Sequence, residues 1–130
     1  MLHFMTLNEK FFIDSFNKNK LIEFRLNDFK RQSIKIDDVI QFRNRNNPSM
    51  FFYVKVTKLL TNNNFEQLIN NIDLSLVNYS PNELIHLLNS IYPAKSIDKF
   101  GTLAIYFEVI WKFMLLFFIP FKNIRSTYPY

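Results

Sequence analysis

The sequence predicts an α+β domain, and the order of its segments is the main reason. Alternating, strand-like segments occupy the first sixty residues, amphipathic helices follow, and another alternating segment closes the series. The regular exchange of strands and helices that would indicate a parallel sheet is not seen in the sequence. A length of 130 residues and a hydrophobic content of 48% suit one domain with its own core.

The first two predicted elements are a strand and a helix. Residues 2–6, "LHFMT", have the pattern of a short strand, and Thr6 followed by Glu9 forms a capping box that predicts a helix start. The asparagines within residues 17–19 predict the end of this helix, because asparagine tolerates the left-handed conformation. We expect one apolar face on the helix: Phe12, Ile13 and Phe16.

Three more strands are predicted before residue 61. Residues 39–43, "VIQFR", alternate, and residues 50–60, "MFFYVKVTKLL", are rich in β-branched and aromatic side chains. Residues 21–26, "LIEFRL", alternate between a core-facing set and a second set: Ile22, Phe24 and Leu26 against Leu21, Glu23 and Arg25. Together these strands predict a small curved sheet or barrel.

The middle of the chain is predicted to be helical. Asn64 and Ser80 stand where N-caps are expected, three residues before Gln67 and Glu83. The second helix has an apolar stripe at helical spacing: Leu84, Leu87, Leu88 and Ile91. Gly101, the single glycine, marks the turn into the last strand, "TLAIYFEV".

Composition excludes several classes of site. Without cysteine there is no disulfide, thiolate metal site or cysteine nucleophile, and a single glycine excludes a glycine-rich phosphate loop. His3 and His86 lack metal-ligand spacing, so neither a metal nor a cofactor is expected. The first ten residues lack the pattern of a signal peptide, which predicts a cytoplasmic protein.

The positive charge is concentrated in the first half. Residues 1–60 hold eleven Lys or Arg against six Asp or Glu, whereas residues 61–109 are acidic. A basic face suits phosphate-bearing partners, although a modest positive charge is equally typical of proteins without such a partner. The basic side chains of interest are Lys30, Arg31, Lys35, Arg43 and Arg45. The adjacent Asp37 and Asp38 are interpreted as a turn before a strand.

Lys20, Glu23 and Arg25 allow two interpretations. They can form a surface ion pair, which contributes typically less than about 1 kcal/mol. Alternatively, Lys20 stands at the mouth of a cleft, where partial withdrawal from water lowers the pKa of a lysine and lets it act as a base. An arginine fork beside it can hold a phosphate or a base edge.

The run "IWKFMLLFFIPF", residues 110–121, is apolar apart from Lys112. A membrane span needs roughly 18–20 apolar residues, so the run is short for that purpose and a membrane partner is not expected. It can instead extend a core strand, dock on a protein partner or present a hydrophobic surface. These alternatives stay open.

Several segments carry a family resemblance. The pattern Lys20-x-x-Glu23-x-Arg25, followed by "RQSIKIDDVIQF", resembles the signature of the ASCH domain, a branch of the PUA-like superfamily. "YSPNELIHLLNSIYP" and "FGTLAIYFEV" resemble the helix and closing strand of small bacterial ASCH proteins. The resemblance covers about residues 2–109 within a domain of residues 1–109, and it leaves residues 110–130 as a separate apolar tail. It implies a small β-barrel with flanking helices and a cleft.

The resemblance also implies a function. ASCH proteins are proposed to bind RNA in the cleft, and one subgroup removes the acetyl group of N4-acetylcytidine with a lysine, a threonine and a glutamate. Lys20 matches that lysine and Glu23 aligns with the threonine, whereas the glutamate has no counterpart near Val77. We therefore expect an RNA- or nucleotide-binding module with six ligand-binding residues: Lys20, Glu23, Arg25, Lys30, Arg31 and Arg43. The alternatives are an amidohydrolase with Lys20 and Glu23 as catalytic residues, and an interaction protein that docks through its tail.

Two glycines that are common in the ASCH pattern are replaced here. Lys18 and Asp37 stand at their positions. If the backbone keeps the family conformation, both residues are expected to have a strained, positive φ.

Overall fold

A computed structural model describes residues 1–111, which form a mixed α+β fold. The strands are β1 (Leu2–Leu7), β2 (Ile22–Leu26), β3 (Val39–Asn44), β4 (Phe51–Asn62) and β5 (Thr102–Trp111). The helices are α1 (Glu9–Phe16), α2 (Phe65–Asn70), α3 (Pro81–Ile91) and α4 (Ala94–Phe100). Single 3-10 turns occur at Arg31–Ser33 and Leu74–Leu76. The predicted order of strands, helices and a closing strand is confirmed.

The five strands form one sheet in the order β1-β3-β4-β5-β2. β1 pairs with β3 in parallel, and the other neighbours are antiparallel. Register shifts at Tyr53/Val54 and Val56/Lys58 interrupt the β4–β5 ladder, and such bulges bend a strand. The sheet curls into a half-barrel. Its edge strands β1 and β2 leave between them a gap, here called the seam.

Each face of the sheet covers a separate core. The inner core fills the half-barrel, and the helix-side core lies between the sheet and α2, α3 and α4. β5 contributes to both, because its side chains alternate. Its inner-core residues are Leu103, Ile105 and Phe107, and its helix-side residues are Ala104 and Tyr106. A polar side chain on the inner face of a strand therefore enters an apolar interior.

The predicted caps of α2 and α3 are confirmed. The Asn64 side chain accepts a hydrogen bond from the Gln67 backbone N–H at 2.8 Å, and Ser80 accepts one from the Glu83 N–H at 3.3 Å. No helix was expected over Ala94–Phe100, where α4 is short and lacks a side-chain cap. Weak local signals of this kind leave such a helix dependent on packing.

The capping box predicted for α1 is wrong. Thr6 belongs to β1 and pairs with Arg43 of β3, so it cannot cap the helix. Asn8 is the N-cap, and its side-chain oxygen accepts from the Phe11 N–H at 2.8 Å. The apolar face is rotated accordingly, with Phe11 buried and Ile13 exposed. β1 extends to Leu7 because the Leu7 side chain packs in the inner core.

Both replaced glycine positions have a positive φ, as expected. Lys18 has φ 64° and Asp37 has φ 75°; Gly101 has φ 72°. A Cβ on Gly101 would lie 3.0 Å from the Asn62 carbonyl oxygen, so this turn into β5 requires glycine. Lys18 and Asp37 tolerate the conformation at a cost, since L-residues are destabilised in the left-handed region.

Asp38 has a structural role beyond the predicted turn. Its carboxylate accepts hydrogen bonds from the His3 side chain at 2.8 Å and from the Lys35 backbone N–H at 3.0 Å. It therefore ties β1 to the segment that leads into β3. The His3 bond, and then the Lys35 N–H, lower the pKa of Asp38 to about 2.

The apolar tail lies mostly outside the described residues. Ile110 and Trp111 belong to β5, so this strand extends beyond the region of the ASCH resemblance, whereas residues 112–130 are not described. Within residues 1–111, no helix has the length and apolar character needed to cross a membrane.

The positive φ angles give a stability prediction. Lys18→Gly and Asp37→Gly should each raise the free energy of unfolding, by about 0.5–1 kcal/mol, because glycine adopts this conformation without strain. Urea titration measures the change. Lys30→Gly is the matched control, since Lys30 has φ −65° and its substitution should lower stability. A gain at Lys30 equal to that at Lys18 would contradict the strain explanation.

A second prediction concerns acid stability. The folded-state pKa of Asp38, about 2, is below the usual value of about 3.9, so its contribution is present above about pH 4. That contribution is lost as the pH falls through the folded-state pKa. Melting temperatures of the wild type and Asp38→Asn should differ at pH 7 and converge toward pH 2. A difference that is constant over this range would refute the linkage.

Candidate functional site

The acidic and basic residues of β2 point into the half-barrel. In the β2–β5 register Glu23 lies opposite Ile105 and Arg25 opposite Leu103, and both partners belong to the inner core. The neighbouring Phe24 belongs to the helix-side core. Glu23 is consequently 3% exposed. The interpretation of this group as a surface ion pair is wrong, because the inner face of β2 is covered by protein.

Lys20 is fully buried beside them. Its Nζ donates to Glu23 Oε1 at 2.7 Å and lies 4.7 Å from the centroid of the Phe11 ring. Burial lowers the pKa of Lys20, while Glu23 opposes that effect. Burial would raise the pKa of Glu23, but Lys20 and Arg25 together hold it below its usual value. Glu23 is therefore the anion between two cations.

Arg25 extends this chain of charges across the seam. Its Nε donates to Glu23 Oε2 at 2.7 Å, and its Nη2 donates to the backbone carbonyl oxygen of Thr6 at 2.8 Å. Thr6 lies on β1, so this side chain connects the two edge strands of the sheet. We refer to Lys20, Glu23 and Arg25 as the charged trio.

A cleft opens over the charged trio at the seam. Its volume is about 90 Å³. Its polar lining comes from β1, the N-cap of α1, β2, the β3–β4 turn and the end of α3: Thr6, Asn8, Glu23, Arg25, Arg45 and Tyr92. Arg45 is exposed, and its side chain forms no hydrogen bond or ion pair with another residue in the range 1–111. The cleft therefore has a tightly bonded floor and a free cation at its rim.

Tyr92 lines the cleft, and the charges of three arginines act on its hydroxyl group. Its hydroxyl donates to the Phe24 carbonyl oxygen over a long 3.4 Å. Burial raises the pKa of Tyr92, and the positive charges of Arg25, Arg31 and Arg45 act against that rise. Of these three arginines, Arg25 and Arg45 line the cleft together with Tyr92, whereas Arg31 does not.

The structure brings together some of the expected site residues and separates others. Glu23 and Arg25 line the cleft, whereas Lys20 lies beneath its floor instead of at its mouth. Lys30 is exposed and is not part of the lining.

Arg31 and Arg43 are engaged elsewhere. Arg31 Nη1 donates to Asp28 Oδ2 at 3.1 Å. Arg31 does not line the cleft, although its positive charge acts on Tyr92. Arg43 Nη2 donates to Gln41 Oε1 at 2.9 Å, on the outer face of the sheet.

Arg45 and Tyr92 were not among the expected ligand-binding residues. In the sequence, Arg45 stands out only as one of the basic side chains of the first half, and Tyr92 has no feature that indicates a binding role. The positive charge of Arg45 and its place in a turn are visible in the sequence, but its distance from Tyr92 is not. The described residues contain no group of three or more His, Cys, Asp or Glu that could hold a metal ion.

Comparisons with known proteins give structural relatives. The crystal structure of hypothetical protein PH0355 matches with a TM-score of 0.72 and 27% identity, over 85% of this chain and 100% of that one. The solution structure of protein PF0455 from Pyrococcus furiosus matches with a TM-score of 0.64 and 30% identity, over 85% of this chain and 98% of that one. The chain belongs to the same family as PF0455.

The PF0455 family thus has the α+β half-barrel described above. No protein-family model and no curated protein matches the chain. Neither relative's name includes a ligand or an activity. The function has to be inferred from the site.

The charged trio gives a stability prediction. Glu23→Gln should lower the free energy of unfolding by about 3–5 kcal/mol, because it leaves two buried cations without their anion. Lys20→Met should cost clearly less, since Glu23 keeps its bond to Arg25. Urea titration of both variants tests this order. A larger loss for Lys20→Met would show that Glu23 is not the central charge.

Proposed function

We propose that this member of the PF0455 family is an RNA- or nucleotide-binding module that uses the cleft at the seam. The observation that carries the proposal is the free cation Arg45 beside the partly exposed Arg25, in one concave site. Arginine forks suit phosphates and base edges, and a concave basic site concentrates anionic ligands. The ligand-binding role belongs to Arg25, Arg45 and Tyr92, with Glu23 and Lys20 as their support.

The ASCH resemblance supports the same proposal. A PUA-like barrel with a basic cleft beside it is what that resemblance implies, and a half-barrel with a cleft at its seam is compatible with it. Lys18 and Asp37 stand at two positions where glycine is common in the ASCH pattern, and their positive φ agrees with that resemblance. An RNA ligand is also consistent with the expected cytoplasmic location.

The amidohydrolase alternative is less well supported by the geometry. A catalytic lysine must reach its substrate, whereas Lys20 is 0% exposed and its Nζ is bonded to Glu23. Its lowered pKa suits a base, but burial beneath the cleft floor separates it from a ligand. Incubation with N4-acetylcytidine should give no cytidine. Release of cytidine that disappears in Lys20→Met would restore the enzyme alternative.

The docking alternative depends on the apolar segment 110–121. Most of that segment lies outside the described residues, so docking on a protein partner remains a prediction.

Binding to short single-stranded RNA tests the proposal. Fluorescence anisotropy with labelled pentauridylate should show binding at about 50 mM salt that weakens by 200 mM, because phosphate contacts release counterions. Arg45→Gln should weaken binding about tenfold. It should also reduce the slope of log K against log salt by about 0.7 for each phosphate that the protein no longer neutralises.

Two controls make the test specific. Lys30→Gln removes an exposed positive charge outside the cleft and should leave the affinity within about twofold. Circular dichroism melting should show that Arg45→Gln is folded, since the Arg45 side chain forms no hydrogen bond or ion pair with another of residues 1–111. Equal losses from Lys30→Gln and Arg45→Gln would indicate non-specific charge attraction and reject the cleft as the site.

A further inference from the structure

The cleft has an excess of positive charge. Within the charged trio one carboxylate faces two cations, which leaves one positive charge, and Arg45 adds a second. Arg31 contributes no further excess because Asp28 is its ion-pair partner. Two positive charges without counter-ions among residues 1–111 thus lie around a single small cleft.

The free hydrogen-bonding groups of the cleft are mainly donors. Each Glu23 oxygen already accepts one charge-assisted hydrogen bond, from Lys20 and from Arg25 respectively. Arg25 uses two of its five N–H groups within the described residues, and the Tyr92 hydroxyl has only a long bond of 3.4 Å. Base edges present donors as well as acceptors, whereas a phosphate presents acceptors alone. The donor surplus therefore favours a phosphate.

The size of the cleft limits what can enter. Its volume is about 90 Å³. Pockets that enclose a whole small ligand measure about 300–1,000 Å³. The cleft thus accommodates one chemical group of a larger ligand. An end group can enter such a cleft more easily than a group with chain on both sides.

From charge, donors and size, we infer that the cleft binds a terminal phosphate monoester, at the end of an RNA strand or on a mononucleotide, through Arg25, Arg45 and Tyr92. This inference rests on the proposed nucleotide-binding function and adds to it a preference for strand ends. A phosphate monoester carries about −1.5 to −2 charges at pH 7, close to the excess in the cleft, whereas an internal phosphodiester carries one. Arg45 is the residue that distinguishes the two.

Defined oligonucleotides test the inference. We compare unlabelled pentauridylate with two hydroxyl ends, with a 5′-phosphate and with a 3′-phosphate as competitors of a labelled strand in fluorescence anisotropy. Heptauridylate with hydroxyl ends is the control for charge, because it matches the formal charge of the phosphorylated pentamers with internal phosphates alone. One phosphorylated pentamer should bind about tenfold more tightly than heptauridylate. In Arg45→Gln this preference should fall below about twofold, whereas Lys30→Gln should keep it.

Each other outcome contradicts the inference in a different way. If phosphorylated and hydroxyl-ended strands bind alike, the preference for strand ends is wrong while the proposed RNA-binding function stands. If no oligonucleotide binds, both are wrong. A preference that survives Arg45→Gln would place the phosphate outside this cleft.

Discussion

The bond between Glu23 and its two cations is the constraint on which the seam depends. A carboxylate in an apolar interior is stable only when its charge is compensated, and Lys20 and Arg25 bond one oxygen each. Arg25 could not lie against Thr6 without this anchor, because its planar fork would have an uncompensated charge close to the core. The two edge strands of the sheet are therefore held together by electrostatics at a place where the hydrogen-bond ladder does not continue.

In the structure, some charged residues support the site from inside and others face its opening, a distinction that the charge pattern of the sequence does not show. Lys20 and Glu23 are used inside the protein, where they position Arg25. Arg45 and Tyr92 belong to other segments and face the opening. For the binding role proposed above, a rigid floor is an advantage, since its side chains have little freedom left to lose when a ligand binds. The lowered pKa of Lys20 is a consequence of its burial and of itself indicates no catalysis.

Much of the fold was accessible from the sequence because its signals are local. Alternation identified the strands, and the caps at Asn64 and Ser80 identified two helices. Thr6 and Asn8 compete for one helix start, and only the pairing of Thr6 with β3 decides between them. The site was less accessible because it depends on contacts between segments that are distant in sequence. Glu23 and Arg25 were visible as a pair, but the burial of the pair follows from contacts between β2 and β5.

The strand order also has a consequence for synthesis of the chain. Within the described residues β2 pairs with β5 alone, and β5 comes last in sequence. On a ribosome, Lys20, Glu23 and Arg25 emerge early and stay in water until the residues opposite them have been translated. Pairing over such a long sequence separation also slows folding. Of the strand pairs among residues 1–111, β1–β3 and β3–β4 can therefore form first, whereas β4–β5, β2–β5 and the cleft at the seam form only after β5 has been translated.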